Sequence, residues 1–136
     1  MTRFLCLAAE TYLAAQRYWE GLEHVARALD LASEIGEQFY VPQLHHVRAE
    51  LLLHAHGTAD EAVEASLQKA LSVARQQGAK GWELRAARSL ARLRGQQGRR
   101  TEARDLLSPI YRWFTEGFDT ADLKEAKALL DELGAL

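Results

Sequence analysis

Arg85, Arg88 and Arg92 carry the clearest chemical signal in this chain of 136 residues. On a helix they fall at i, i+3 and i+7, within about 60° of one another. An arginine fork matches a carboxylate with two parallel bonds, so a stripe of three predicts an acidic peptide or tail as ligand. The local charge agrees. Residues 80–104 hold eight Lys/Arg against two Asp/Glu, in a chain whose formal net charge is −2. The same stripe also fits a solvated polar face laced by i,i+4 ion pairs, the commoner use of such spacing. The sequence leaves both readings open.

Other reactive residue types are present but do not form working sets. His45, His46, His54 and His56 crowd one segment. A zinc site needs several histidines on one face at i,i+4. His54 and His56 diverge by about 200°, so surface and helix-end histidines are predicted, and no metal. Trp19, Trp82 and Trp113 are predicted to wedge between helices rather than stack on a ligand. Cys6 sits on a core-type stripe, and no third group orients a Cys6–His24 pair as a nucleophile. A single cysteine closes no internal disulfide. The chain contains no phosphate loop, no G-x-S-x-G and no dinucleotide fingerprint. The expectation is a chain that is not an enzyme and carries no cofactor.

The elements that must position the arginines are helices. Ala (23) and Leu (22) make up a third of the chain, while Val and Ile together number seven. That balance favours helix over strand. Apolar periodicity predicts helices over about 3–15, 19–35, 42–56, 60–77, 80–97, 101–116 and 120–134. Thr58 or Asp60 is the expected cap of the fourth helix and Thr101 of the sixth. Pro109 should kink the sixth. The cluster Tyr111, Trp113, Phe114 and Phe118 is expected to lock the seventh helix onto the sixth.

Spacing then organises the helices. Ala28-Leu29-x-x-Ala32-x-x-x-Gly36 returns 42 positions later as Ala70-Leu71-x-x-Ala74-x-x-x-Gly78, and Gly117 is expected to close a third unit. Self-similarity at this period marks a stacked repeat array. The chain therefore reads as one all-α domain of antiparallel hairpins in a right-handed solenoid. Its repeats lie at about 3–36, 41–78 and 80–117, with a capping helix at about 120–134. No apolar run is long enough for a membrane span or a secretory signal. Cytoplasmic location is expected, with neither membrane nor nucleic acid as partner.

The hairpins resemble tetratricopeptide repeats. Ala8-Ala9 with Tyr12, and Leu90-Ala91, stand at that family's L-G and Y positions. Gly21 with Val25, and Ala103 with Leu107, stand at its A-x3-F positions. The period is about 40 where the family has 34, which implies a longer-helix relative. The resemblance implies that the first helix of each pair, the one carrying Arg85, Arg88 and Arg92 in the third pair, lines a concave groove. Residues 43–53, 81–87 and 111–120 further resemble the carboxyl-terminal helical repeats of large bacterial regulators. Those carry an AAA- or STAND-type ATPase linked to a class III nucleotide cyclase or a DNA-binding domain. This implies a protein-interaction or scaffolding module of a signalling protein, or alternatively a small-molecule sensor with its ligand in the groove. Met1-Thr2 opens directly on the first helix, which reads as a shortened relative or a fragment. Phe4, Leu5, Leu7 and Ala8 then present an uncapped apolar flank, and a homodimer is expected through it.

Overall fold

The Ala-x-x-x-Gly segment that recurs along the sequence is a helix stop. Gly36 and Gly78 adopt left-handed backbone (φ 74° and 66°) and turn their amides back to the carbonyls of Ala32 and Ala74. Only glycine takes that conformation without a Cβ penalty. The computed structural model describes residues 2–58 and 60–134. Among them are seven helices and no strand: α1 (Thr2–Ala14), α2 (Tyr18–Ile35), α3 (Val41–His56), α4 (Glu61–Gln77), α5 (Lys80–Gln96), α6 (Arg100–Trp113) and α7 (Ala121–Gly134). Pro42 stands in the first turn of α3, where its missing N–H costs nothing. Asp60, not Thr58, caps α4, its carboxylate accepting the Val63 N–H at 3.1 Å.

The sixth helix departs from the sequence expectation at both ends. It begins at Arg100, one residue early, so Thr101 lies inside the first turn and caps nothing. It stops at Trp113, because Phe114 swings to extended backbone (φ −76°, ψ 136°) and packs its ring on the main core. Gly117 therefore ends no helix. It belongs to a separate turn in which the Thr120 hydroxyl donates to the Gly117 carbonyl at 2.7 Å. Tyr111 meets Phe118 across this turn, ring centres 5.8 Å apart.

Consecutive helices fold back on one another, and the odd helices also touch: α1 meets α3, α3 meets α5, and α5 meets α7. The even helices touch only odd ones. Two layers result, and the odd layer, being the more closely spaced, is the inner one. Small residues are prominent in the core beneath it. Ala9, Ala49, Ala87, Ala91 and Ala126 are all essentially without exposed surface. Of the positions that resemble the tetratricopeptide pattern, Ala9, Val25, Leu90, Ala91, Ala103 and Leu107 are buried, whereas Ala8 and Tyr12 are half-buried. One continuous core runs from α3 to α7, and two smaller clusters bind α1 and α2 to it.

Gly21 marks the tightest helix junction. A Cβ there would stand 2.8 Å from Leu51 Cδ2 and 3.0 Å from Tyr12 Cβ, so α1, α2 and α3 meet with no spare volume. At Gly81, in the first turn of α5, a Cβ would meet nothing within 4 Å. The two glycines should answer oppositely to substitution. Gly21→Val is expected to lower unfolding stability by about 2 kcal/mol through overpacking. Gly81→Ala is expected to raise it by up to about 1 kcal/mol through helix propensity. Urea denaturation of both variants checks the pair, and a Gly21→Val protein as stable as the parent would mean that this junction is loose.

Candidate binding cleft on the inner face

The repeat brings equivalent positions of successive odd helices side by side. Gln43 of α3 and Arg85 of α5 are 42 apart, and Asp122 of α7 follows 37 later. Together with Glu10 of α1 they form a continuous polar rung across the inner layer. Gln43 Nε2 donates to Glu10 Oε1 at 3.0 Å, Arg85 Nη1 donates to Gln43 Oε1 at 3.3 Å, and Arg85 Nη2 donates to Asp122 Oδ2 at 2.9 Å. One turn along, Arg88 pairs with Glu125 of α7 and lies 3.5 Å from Asp122. Its side chain keeps only 11% of its surface exposed. The arginine stripe is thus neither an open cluster nor a self-paired helix face. Two of its three members are held by carboxylates of the last helix.

Arg92 differs. It is exposed, and among the described residues no carboxylate pairs with it. It stands at the rim of a cleft of about 280 Å³ between α3 and α5. Leu53, Val63, Leu67 and Leu93 give the cleft apolar walls, and Glu50, Arg88, Ser89 and Arg92 give it polar ones. Val63 and Leu67 come from α4, where the buried stripe of that amphipathic helix reaches through to the inner face.

Under the cleft lies His46, 3% exposed. Its Nε2 is 2.7 Å from Ser89 Oγ and its Nδ1 is 3.1 Å from Glu50 Oε1. The order serine, histidine, glutamate is that of a hydrolase triad, but its chemistry fails on three counts. Burial, with Arg88, Arg85 and Arg92 nearby, pushes the imidazole down to about 4, too weak a base to take a hydroxyl proton at neutral pH. Ser89 lies in mid-helix, where backbone N–H groups are already used and none remains for an oxyanion. Finally, Nδ1 is close to Glu50 yet off the hydrogen-bond direction, and it has no partner. Nε of Arg88 is likewise buried and unpartnered. The trio holds α3 to α5 and leaves two orphan nitrogens beside the cleft. Burial also raises the Glu50 carboxyl above its ordinary range, with Arg88 opposing.

The remaining residues singled out by sequence fall as follows. His46 is not the surface histidine expected, and His45 is half-buried and also pushed down to about 4, by burial first and then by Arg48 and Lys69. His54 stacks on Tyr18 at 5.1 Å, and His56 bonds Asp60 at 2.6 Å. Among the described residues no three His, Cys, Asp or Glu side chains converge as metal ligands would. Trp82 wedges between repeats, donating to the Phe39 carbonyl at 3.1 Å, with Arg85 stacked 5.3 Å above its ring. Trp19 and Trp113 do not wedge; they are 62% and 57% exposed. Cys6 is buried and pushed up to about 12, mainly by that burial, which leaves its thiol inert. His24 is committed to the Leu5 carbonyl at 2.9 Å. On α1, Phe4 and Leu7 face outward, but Leu5 and Ala8 are half-buried, and Leu5 packs on Ala28 and Leu44.

Sequence reasoning missed Gln43, Glu50 and Asp122, and placed His46 at the surface rather than in the core. Adding the repeat offset to Arg85 in each direction would have located Gln43 and Asp122. A larger cavity, about 700 Å³, opens between the starts of α5 and α7. Its lining is mostly apolar, and Asp122, one of its two carboxylates, is already bonded to Arg85. No described helix is long and apolar enough to cross a membrane. Comparison with family models, curated proteins and solved structures finds no match to this chain.

The buried histidines set an acid limit on the fold. In the unfolded chain an imidazole takes up its proton near pH 6.5, whereas folded His46 and His45 resist until about 4. Their contribution is therefore complete above about pH 6.5 and is lost as pH falls towards 4. For His46 it should amount to about 2–3 kcal/mol. Glu50 works in the opposite direction, since its burial penalty fades as it protonates. Unfolding free energies measured between pH 7 and pH 4 should fall for the parent and fall less for His46→Gln. Equal slopes would mean that His46 is solvated in the native state.

Proposed function

We propose that this chain is a non-catalytic helical-repeat interaction module that docks an acidic segment of a protein partner on its inner face. The single observation that carries the reading is Arg92. It is the one member of the stripe without a carboxylate among the described residues, and it borders a cleft with apolar walls. Arg85 and Arg88 demonstrate the chemistry within the chain, because the acidic residues of α7 occupy them. Charge-assisted bonds of this kind are the strong ones. Within this cleft the small-molecule alternative is the weaker reading, because at about 280 Å³ it lies at or below the lower end of ligand pockets, roughly 300–1,000 Å³. The cavity of about 700 Å³ between α5 and α7 falls inside that range but offers no unpaired arginine. The α3–α5 cleft suits one side chain of a longer partner. A formal net charge of −2 argues against nucleic acid as that partner.

The wider setting follows from the resemblance of residues 43–53, 81–87 and 111–120 to bacterial ATPase and cyclase-type regulators. In that setting the module is the regulatory, partner-sensing part of a cytoplasmic signalling protein. Homodimerisation belongs to the same reading. Phe4 and Leu7 are 75% and 49% exposed one turn apart on α1, and exposed apolar patches usually find partners.

Two measurements test these points. Arg92→Glu should weaken binding of a fluorescein-labelled acidic peptide by about tenfold or more, with little change in melting temperature because the side chain is exposed. Arg85→Glu or Arg88→Glu should instead lower the melting temperature, since each sets a carboxylate against Asp122 or Glu125. Unchanged peptide affinity in Arg92→Glu would sink the docking site. Separately, Phe4→Glu with Leu7→Glu should convert a dimer to a monomer in sedimentation equilibrium. Leu5 is left alone in this variant because it helps hold α1 to the core. A concentration-independent monomer of the unmodified chain would refute self-association.

A further inference from the structure

We infer that the α3–α5 cleft takes a carboxylate carried on an apolar stem, and that Glu50 controls its entry. The inference rests on the docking reading and deepens it. Two independent observations support a carboxylate. Among the described residues Arg92 has no carboxylate partner at the rim. The deeply buried His46, 2.7 Å from Ser89 and 3.1 Å from Glu50 of the cleft lining, keeps an Nδ1 without a hydrogen-bond partner. A carboxylate satisfies it in the tautomer that carries the proton there. The Nε of the lining residue Arg88 is likewise without a partner. The apolar stem follows from the walls, where Leu53, Leu67 and Leu93 cover what the arginines do not.

Glu50 stands where the ligand's charge has to go. Its carboxyl lines the cleft, 3.1 Å from His46 Nδ1. It is faced by His46 and His54 from α3, Glu10 from α1, and Arg85, Arg88 and Arg92 from α5. α4 contributes only Val63 and Leu67 to that space. A second carboxylate arriving there cannot sit beside an ionised Glu50 without strong repulsion. Two such groups share a proton instead. Binding therefore carries one proton onto Glu50, and affinity rises as pH falls through the range in which Glu50 titrates. Burial has already moved that range upward. Glu50→Gln makes the cleft permanently uncharged at this position, so it binds more tightly at neutral pH and loses the pH dependence.

The test uses the full chain and a fluorescein-labelled peptide of alternating leucine and glutamate, read by anisotropy from pH 5 to pH 8. The expected result is affinity rising towards acid in the parent, and in Glu50→Gln about tenfold tighter binding at pH 8 with a flattened profile. His54→Gln should keep the parent's slope, which separates Glu50 from the histidine that also lines the cleft. Displacement of the peptide by hexanoate would support the carboxylate subsite and identify a free acid as a competent source. Equal affinity and equal slope in Glu50→Gln, while Arg92→Glu still abolishes binding, would overturn the role of Glu50 and leave the docking reading intact. Peptide binding indifferent to Arg92→Glu would overturn both.

Discussion

Helices α1, α3, α5 and α7 lie side by side, and small residues are prominent in the core beneath them. Ala9, Ala49, Ala87, Ala91 and Ala126 are all buried to within 1%, and Gly21 lets α2 in where even a methyl group would collide. A helical hairpin alone leaves its apolar face open to water, so a stack must bury each face against the next hairpin. Close approach in one layer achieves this and sets which layer is inner. Every polar contact of functional interest follows from that choice. Residues 33 to 43 positions apart come within hydrogen-bond range because their helices do.

Close approach also creates a problem that the inner face solves with charge. Side chains between the odd helices lose water, and a polar group without a partner there is costly. The rung from Glu10 through Gln43 and Arg85 to Asp122 satisfies most of these groups, and Arg88 with Glu125 repeats the solution one turn along. Among the described residues three buried side-chain nitrogens stay without a hydrogen-bond partner: His46 Nδ1 and Arg88 Nε beside the cleft, and Arg94 Nε on the α4 side of α5. Two of these three nitrogens lie beside the cleft whose rim Arg92 marks.

How much of this was legible in the sequence depends on the range of the forces involved. The seven helices follow from local propensity and periodicity. The glycine stops follow from backbone geometry, and both read correctly to within a residue or so over α1 to α5. α6 misled because its end is not decided locally. Phe114 leaves the helix to reach the core, a tertiary gain that no terminator residue announces. The arginine stripe was visible as a stripe, but its partners were not, since Asp122 and Glu125 lie 37 positions away from Arg85 and Arg88. His46 was misplaced for a related reason. Its neighbour His45 and its polar character suggested surface, whereas the register of α3 turns it inward against α5.

The even helices, each touching only odd ones, give the fold an uneven response to force. An elastic rod whose inner chord is pinned and whose outer chord is segmented bends far more readily than it shears. Drawing α2, α4 and α6 apart breaks no bond between them, while drawing α1, α3, α5 and α7 apart breaks a hydrogen-bonded rung at each step. On these contacts a change of curvature is expected to cost less than a shear of the inner layer. Because the cleft lies between two pinned helices, flexing the rod tilts its walls without tearing its floor.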